Sequence, residues 1–186
     1  MAQKTIPSGA RRLAKTDYRN LMRRRIRRIL LICSSYDAYT LEEDGRLEVQ
    51  LNHEYMELNL SNPPSFTRVS SSTEALELLQ GENDFDLVIS MFNVGDLDVF
   101  HFSKQLKALH PEIPFVLLTN FSKDIYRRIE GEDRSAIDYI FSWHGNADLI
   151  LAIVKLIEDR MNADDDILGV GVQSILLVED SIRYYS

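Results

Sequence analysis

The positions best placed to do chemistry in this sequence lie at the ends of its apolar segments. Phe85-Asp86-Leu87-Val88-Ile89 predicts a central strand buried on both faces, and Ser90-Met91-Phe92-Asn93 follows it. In an open α/β sheet, binding and catalytic groups lie just beyond the carboxyl ends of the strands. Here the sequence offers no acidic group, no activated nucleophile and no metal-binding side chain. The central strand therefore predicts no catalytic centre.

Reactive side chains elsewhere have plainer interpretations. Asp37, Asp96 and Asp98 stand where helices are predicted to begin, so we interpret them as helix caps in preference to metal ligands. Cys33 is the only cysteine and has no Lys, Arg or His beside it to favour the thiolate, so we interpret it as a packing residue in preference to a redox thiol. A glycine-rich phosphate loop, a nucleophile elbow and a Cys/His metal spacing are all missing from the sequence.

Composition predicts one globular domain with appendages. The chain has 186 residues, of which 45% are hydrophobic and 27% charged. No apolar run approaches the roughly 20 residues that a membrane span requires, and the N-terminus has no apolar signal core. A single cysteine cannot form an internal disulfide, which agrees with a reducing compartment. We therefore predict a cytoplasmic protein without membrane contact.

The charge is divided unevenly along the chain. Residues 1–28 carry ten basic residues and one acidic residue, or +9, whereas the remainder carries 11 basic and 28 acidic residues, or −17. The basic run ends in Arg23-Arg24-Arg25-Ile26-Arg27-Arg28. We interpret it first as a solvated helix end and next as a segment that docks on an acidic surface of the same or another chain. Nucleic-acid binding is disfavoured because no aromatic interleaving or helix-turn-helix spacing accompanies the charge.

Strands and helices are predicted to alternate strictly, which implies right-handed crossovers and a parallel sheet. The predicted strands are Ile29–Cys33, Phe66–Val69 at an edge, Phe85–Ile89, Ile113–Thr119 and Ala136–Phe141. The predicted helices are Tyr36–Leu60 with a break near Asp44-Gly45, Glu74–Gln80 capped by Ser72 or Thr73, a helix from Asp96 or Asp98 to His110, a helix from Ser122 to Gly131, and Ala147–Met161 capped by Asn146. A further helix is predicted at Ala10–Met22.

The last predicted helix has an unusual apolar run. Leu149-Ile150-Leu151-Ala152-Ile153-Val154 is apolar at six successive positions, so both faces of the helix need cover. One face is predicted to pack on the sheet, and the other on a partner chain or on the N-terminal helix. This run predicts a homodimer.

An internal repeat occurs near the end of the sequence. Shifted by 146 residues, Ile29-Leu30-Leu31-Ile32-Cys33-Ser34-Ser35 falls on Ile175-Leu176-Leu177-Val178-Glu179-Asp180-Ser181. We predict four parts: a basic arm with a helix (1–25), a domain (26–161), a charged linker (162–174), and the first strand of a truncated second domain (175–186).

The order of these segments resembles the receiver domains of bacterial response regulators, the CheY-like family. Three segments support the resemblance: Phe85-Asp86-Leu87-Val88-Ile89, Ile113-Pro114-Phe115-Val116-Leu117-Leu118-Thr119 and Ala136-Ile137-Asp138-Tyr139-Ile140. The resemblance implies a three-layer α/β/α, flavodoxin-like fold, with a five-stranded parallel sheet in the order 2-1-3-4-5 and an extra N-terminal helix. Residues 175–181 resemble the opening of a second receiver.

The resemblance also assigns positions to the family's phosphoryl-transfer site. An acidic pair and an acceptor aspartate hold Mg²⁺, and a Thr or Ser and a Lys contact the phosphoryl group. By resemblance the acidic pair falls on Cys33 and Ser34, the acceptor on Met91, the hydroxyl on Thr119 and the lysine on Ser142. Thr119 alone matches. Glu179 and Asp180 match the acidic pair of the second, truncated receiver.

These departures predict a degenerate receiver that is not an enzyme, binds no cofactor or metal in its first domain, and acts in a two-component, phosphorelay-type pathway. Its implied partners are other domains of the same protein or a sensor kinase. Two alternatives stay open. One is a small-molecule sensor pocket formed by Trp143, His144, Met91 and Cys33, and the other is phosphorylation at an unconventional residue.

Overall fold

Strands and helices alternate through most of the chain. The computed structural model describes residues 21–37, 39, 47–57, 60, 62–81, 84–120, 122–143 and 147–170. The strands are β1 (Arg28–Ile32), β2 (Ser65–Val69), β3 (Leu87–Met91), β4 (Phe115–Thr119) and β5 (Tyr139–Ser142). The helices are α1 (Leu47–Glu57), α2 (Ser72–Gln80), α3 (Val99–Leu109), α4 (Lys123–Gly131) and α5 (Ala147–Asp164), and a π-helical segment (Asp165–Val170) continues α5.

The five strands form one parallel sheet in the order β2-β1-β3-β4-β5, which confirms the predicted topology. β3 lies in the centre and all five of its residues are buried, as its continuous apolar run predicts. β2 lies at an edge and is mostly half-exposed, also as predicted. The main core surrounds β1, β3 and β4.

The helix starts are set by short polar side chains. Ser71, one residue before the predicted cap positions, accepts the Glu74 N–H at 3.1 Å and caps α2. The prediction of Ser72 or Thr73 was therefore wrong, because Ser72 already lies in the helix and is buried. Gly81 ends α2 as predicted.

Two other predicted caps are confirmed. Asp98 caps α3 by accepting the N–H groups of Phe100 and His101 at 2.9 and 3.3 Å. Ser122 caps α4 through the N–H of Ile125 at 3.3 Å. Four further predictions lie at least partly outside the described residues. They are the cap Asn146, the helix break near 44–45, the helix at 10–22 and the repeat at 175–186.

Most of the apolar run of α5 is covered within the chain, and Ala152 is exposed. Ile150, Ile153 and Val154 pack into the main core. Leu151, on another face, forms a second cluster with Leu51 and Tyr55 of α1. The prediction that this face needs a partner chain or the N-terminal helix was therefore wrong. The sequence places α1 about a hundred residues earlier, and its weak apolar pattern did not identify it as the cover.

Tyr55 brings an unpaired hydroxyl into that cluster. Its side chain is 2% exposed, and among the described residues its oxygen has no hydrogen-bond partner. Burial, with a smaller contribution from the Glu158 carboxylate, outweighs the opposing effect of Arg25 and raises the pKa of Tyr55 from 10.0 to about 12. A buried hydroxyl without a partner costs free energy, because its hydrogen bonds to water are lost and not replaced.

We expect Tyr55→Phe to raise the free energy of unfolding by about 1 kcal/mol at neutral pH, measured by urea titration. The wild type should also lose stability as pH rises from 10 towards 12, since the tyrosine then ionises in the unfolded chain but not in the folded one. The variant should lack that loss. Tyr139→Phe, at a half-buried edge-strand position, is the control and should leave the free energy of unfolding at neutral pH nearly unchanged. A Tyr55→Phe protein clearly less stable than the wild type would contradict the assignment.

α5 runs further than its sequence predicts. It was predicted to end at Met161, but the helix continues to Asp164 and then as the π-helical segment to Val170. The first residues of the predicted linker are therefore helical. Among the described residues, no helix combines the length and the apolar character needed to cross a membrane.

The arginines just before β1 and at its first residue form ion pairs within the same chain. Arg24 pairs with Asp165 at 3.6 Å and Arg25 with Glu158 at 3.5 Å. Arg28 pairs with Asp84 at 2.7 Å. Residues 24–28 therefore dock on acidic residues of the same chain, which was the second of the interpretations of the basic run. Residues 1–20 lie outside the described ranges.

Candidate functional site

The carboxyl ends of β1, β3, β4 and β5 bring the predicted site positions to one edge of the sheet. Ile32 pairs with Ser90, which sets the following Cys33 level with Met91. Further along the edge, Met91 pairs with Leu118, and Thr119 with Ser142. The parallel register thus sets the ends of these four strands side by side in one row, with Cys33 level with Met91, and with Thr119 and Ser142 level with each other one residue further on.

The side chains in this row are apolar or neutral. Cys33 and Met91 are 2% and 5% exposed, and Thr119 and Ser142 are also buried. Ser34, half-buried, donates its hydroxyl to a carboxylate oxygen of Asp37 at 2.6 Å and accepts the Asp37 N–H at 3.1 Å. Ser34 therefore caps the helical turn at residues 35–37. Asp37, interpreted from the sequence as the cap, lies within that turn, and its carboxylate is held by the Ser34 hydroxyl.

A small cavity of about 80 Å³ opens at this edge. Among its lining residues are Met91, Thr119, Asp37 and Trp143, together with the amides of Asn93 and Asn120. One water needs about 10–15 Å³ on this measure, so the cavity admits a few waters but is smaller than ordinary ligand sites of roughly 300–1,000 Å³. Of the predicted sensor residues, Met91 and Trp143 line it, Cys33 is buried nearby in the core, and His144 lies outside the described residues.

A larger, adjoining cavity of about 350 Å³ lies between the β3–α3 loop and α4. Phe92 and Asn93 line both cavities. Across the larger one, the Arg128 guanidinium forms an ion pair with Asp98 and stacks 5.5 Å from the centre of the Phe92 ring. Arg128 is a charged lining residue that the sequence analysis missed, because nothing in α4 marks which of its basic residues turns towards β3.

The β3–α3 loop is fixed by a second carboxylate. Asp96 accepts the N–H groups of Ser72 and Thr73 at 2.8 and 2.9 Å, so it caps α2 rather than its own helix. Partial burial raises the pKa of Asp96, but the hydrogen bonds from Thr73, Ser72 and Leu97 outweigh it and bring the pKa to about 2. Both loop carboxylates act as helix caps, but only Asp98 caps the helix that follows it, as the sequence analysis predicts.

One group of possible metal ligands occurs among the described residues, and it lies elsewhere. His53, Glu54 and Glu57 on α1 place their ligand atoms within 4.8 Å of one another. His53 and Glu57 already form an exposed ion pair at 3.6 Å. This group is at the far end of α1 from the row of Cys33 and Met91, so it adds nothing to the chemistry of that edge.

Comparison with known proteins identifies the class of fold. No family model and no curated protein matches the chain. Among solved structures, it is similar to a CheY-like response regulator receiver domain protein from Methanospirillum hungatei, with a TM-score of 0.54, 14% identity, and coverage of 75% of this chain and 98% of that one. The fold is that of response regulator receiver domains.

Two further neighbours show how widely this fold is used. One belongs to "a novel family of redox sensors in the streptococci evolved from two-component response regulators", with a TM-score of 0.57, 18% identity, and coverage of 84% of this chain and 59% of that one. Another is an adenylate cyclase from Rhodopirellula baltica, with a TM-score of 0.51, 16% identity, and coverage of 77% and 98%. At such identities the similarity establishes the fold and not the activity.

Proposed function

We propose that this chain is a degenerate receiver that takes part in signal transduction by contacting other protein domains and does not itself transfer a phosphoryl group. The observation that carries the proposal is the buried thioether of Met91 at the end of β3, where the receiver family places its acceptor carboxylate. A thioether cannot form an acyl phosphate, and it is a poor ligand for Mg²⁺, which prefers oxygen.

The neighbouring positions support the same conclusion. Cys33 and Ser34 replace the acidic pair, and the nearby carboxylate of Asp37 is already bonded to the Ser34 hydroxyl. Ser142 replaces the lysine, so no cation from β5 offsets charge on an incoming phosphoryl group. Enzymes usually gain more rate from such electrostatic stabilisation than from any other single effect. Thr119 alone retains the family's residue type.

The partners we propose are other domains of the same protein or a sensor kinase, in a two-component pathway. A homodimer remains part of the proposal, but the apolar run of α5 no longer supports it, since α1 covers Leu151. Regulation by contact needs no reaction at the strand ends. Such regulation needs a surface of this domain whose position differs between the partner-bound and the partner-free protein.

The direct test is exposure to a small acyl-phosphate donor with Mg²⁺, followed by intact-mass measurement. The expected result is no added phosphoryl group, while an ordinary receiver domain treated in parallel gains one. A stable gain on this chain would contradict the proposal, and fragmentation would then locate the unconventional acceptor.

A second candidate, small-molecule sensing, is favoured by the 350 Å³ cavity beside Arg128, which reaches the lower end of ligand-site volumes. Trp143 is the only tryptophan and lines the adjoining cavity, so its fluorescence reports on ligands at this edge. A metabolite screen by thermal shift should be repeated on Trp143→Phe and Arg128→Gln. A ligand whose shift survives in the first variant and disappears in the second would support this candidate.

A further inference from the structure

A polar row on α5 holds the segment that precedes β1. Residues 22–26 form this segment, the strap. The polar row consists of Glu158 and Asn162 on α5 and of Asp166 on the π-helical segment that continues it. In these hydrogen bonds the strap donates the backbone N–H of every second residue. The polar row provides one accepting side chain from each turn of the helix. The three contacts join Met22 to Asp166, Arg24 to Asn162, and Ile26 to Glu158.

Asn162 makes the central contact. Its side-chain oxygen accepts the Arg24 N–H at 2.8 Å, and its amide nitrogen donates to the Arg24 carbonyl at 2.8 Å. The same nitrogen donates to the Glu158 carbonyl at 2.7 Å. The side chain is fully buried. Asn162 therefore pairs with both backbone groups of one strap residue, as a neighbouring strand would.

The inner contact is buried and charged. One carboxylate oxygen of Glu158 accepts the Ile26 N–H at 3.0 Å. The other pairs with Lys155 at 2.8 Å and with Arg25 at 3.5 Å, and Glu158 is 1% exposed. The outer contact is looser: both oxygens of Asp166 lie 3.3 Å from the Met22 nitrogen. The strap is thus anchored next to the sheet and weakest at its outer end.

The contacts follow a regular spacing in sequence. Successive contacts lie two residues apart in the strap and four residues apart in the helix, so each falls on the next turn of the helix. The strap itself is not a regular strand, since it bends at Met22 and Arg24 and Met22 has a φ of 51°. The strap runs antiparallel to the helix, since its numbers rise as those of the row fall.

The end of α5 has little else to keep it helical. Met161 is the last helix residue, in the described part of the chain, that packs against the main core, and Leu168 is 83% exposed. Asn and Asp are weak helix formers, and Asp164, Asp165 and Asp166 put negative charge at the unfavourable C-terminal end of the helix. α5 has no basic residue of its own in its last turn, and Arg24 pairs with Asp165 at 3.6 Å.

We infer that the strap is an intramolecular ligand of α5 and that residues 162–170 are helical because it binds there. The polar row recognises backbone groups and the arginines supply the cations that the helix end lacks. The site therefore fits an arginine-rich segment, and residues 22–26 occupy it. The state of the basic N-terminal arm is thereby coupled to the helix that leads out of the domain. This inference stands independently of the proposed absence of phosphoryl transfer.

The test is backbone amide exchange on the full chain, residue by residue. In the wild type, the amides of Met22, Arg24 and Ile26 should exchange slowly and that of Arg25 quickly. In Asn162→Ala, the strap amides and residues 163–169 should lose protection at least tenfold, while Leu87–Met91 keeps its own. Alanine is the better helix former, so propensity alone predicts the opposite change at 163–169.

Asp165→Ala is the matched control, because it raises propensity equally and removes only an exposed ion pair. It should leave the protection of strap and helix end in place. The inference would be overturned if, in Asn162→Ala, the Arg24 amide exchanges faster but the protection of residues 163–169 is unchanged or increased. If Asn162→Ala also exposes β3, Asp166→Ala takes its place, because alanine has no oxygen to accept the Met22 N–H. This variant should open only Met22 and the residues after 165, and unchanged protection there would equally overturn the inference.

Discussion

Replacing Asp138 with Asn should lower the free energy of unfolding by about 3 kcal/mol, the largest loss we expect from a single polar substitution. Asp138 lies just before β5 and is 17% exposed in its side chain. One oxygen accepts the Lys107 ammonium at 2.7 Å and the Phe115 N–H at 2.9 Å, and the other lies 3.2 Å from Arg160. A single carboxylate therefore joins α3, β4, β5 and α5.

The control for this substitution is Asp84→Asn. The Asp84 carboxylate lies 2.7 Å from Arg28, the same separation as in the Lys107–Asp138 pair, but its side chain is 72% exposed. Solvent screens the exposed pair, so its loss should cost less than about 1 kcal/mol. Equal losses in the two variants, measured by urea unfolding, would show that burial is not what gives the Asp138 network its strength.

The Asp138 contribution should also depend on pH. Burial raises the pKa of Asp138, but the hydrogen bonds from Lys107 and Phe115 and the charges of Lys107 and Arg160 outweigh it, so the pKa lies below its usual 3.8. A carboxylate with a lowered pKa stabilises the fold above the pKa of the unfolded chain and ceases to do so as pH falls through the folded value. The difference between wild type and Asp138→Asn should therefore be full at pH 7 and should shrink below 3.8.

Met91→Asp alone should not create a phosphoryl acceptor, and it should destabilise the fold by about 2 kcal/mol. Met91 is 5% exposed and packs in the core, so a carboxylate there is largely desolvated. It would give Mg²⁺ one protein ligand, with the Cys33 thiol and the Ser34 hydroxyl as poor substitutes. Acyl-phosphate treatment with Mg²⁺ should leave its mass unchanged.

Restoration should require all the missing groups together. With Asp or Glu at positions 33 and 34, Asp at 91 and Lys at 142, the metal gains its oxygen ligands and the phosphoryl group gains a cation beside Thr119. This combined variant should gain one phosphoryl group, and changing its position 91 to Asn should abolish the gain. Phosphorylation of Met91→Asp alone would show that the remaining edge is less degenerate than its residues indicate.

The strands and the edge of the sheet could be predicted because their signals are local. Leu87-Val88-Ile89 is apolar without interruption, and a parallel sheet covered on both faces is the arrangement that buries such a run. Once the strand ends are placed, the row from Cys33 to Ser142 follows from the parallel register, with no knowledge of side-chain contacts.

The parts that could not be predicted depend on partners distant in sequence. The charged run after Met161 predicts a linker, yet Asn162 is held by Arg24, which lies 138 positions earlier, and the helix continues. Asp96 was expected to serve the helix that follows it, whereas it binds the amides of Ser72 and Thr73. In each case a single polar side chain satisfies another segment's backbone, and no periodic pattern marks such a residue.

The position of the strap has a mechanical consequence. Residues 22 and 166 are hydrogen-bonded neighbours, so the chain enters and leaves the domain at almost the same point. A force that pulls the segment before residue 22 away from the segment after residue 166 would pull the outer ends of the strap and of the helix apart. It would break the Asp166, Asn162 and Glu158 contacts one at a time, beginning with the weakest, before any force acted on the hydrogen bonds of the sheet.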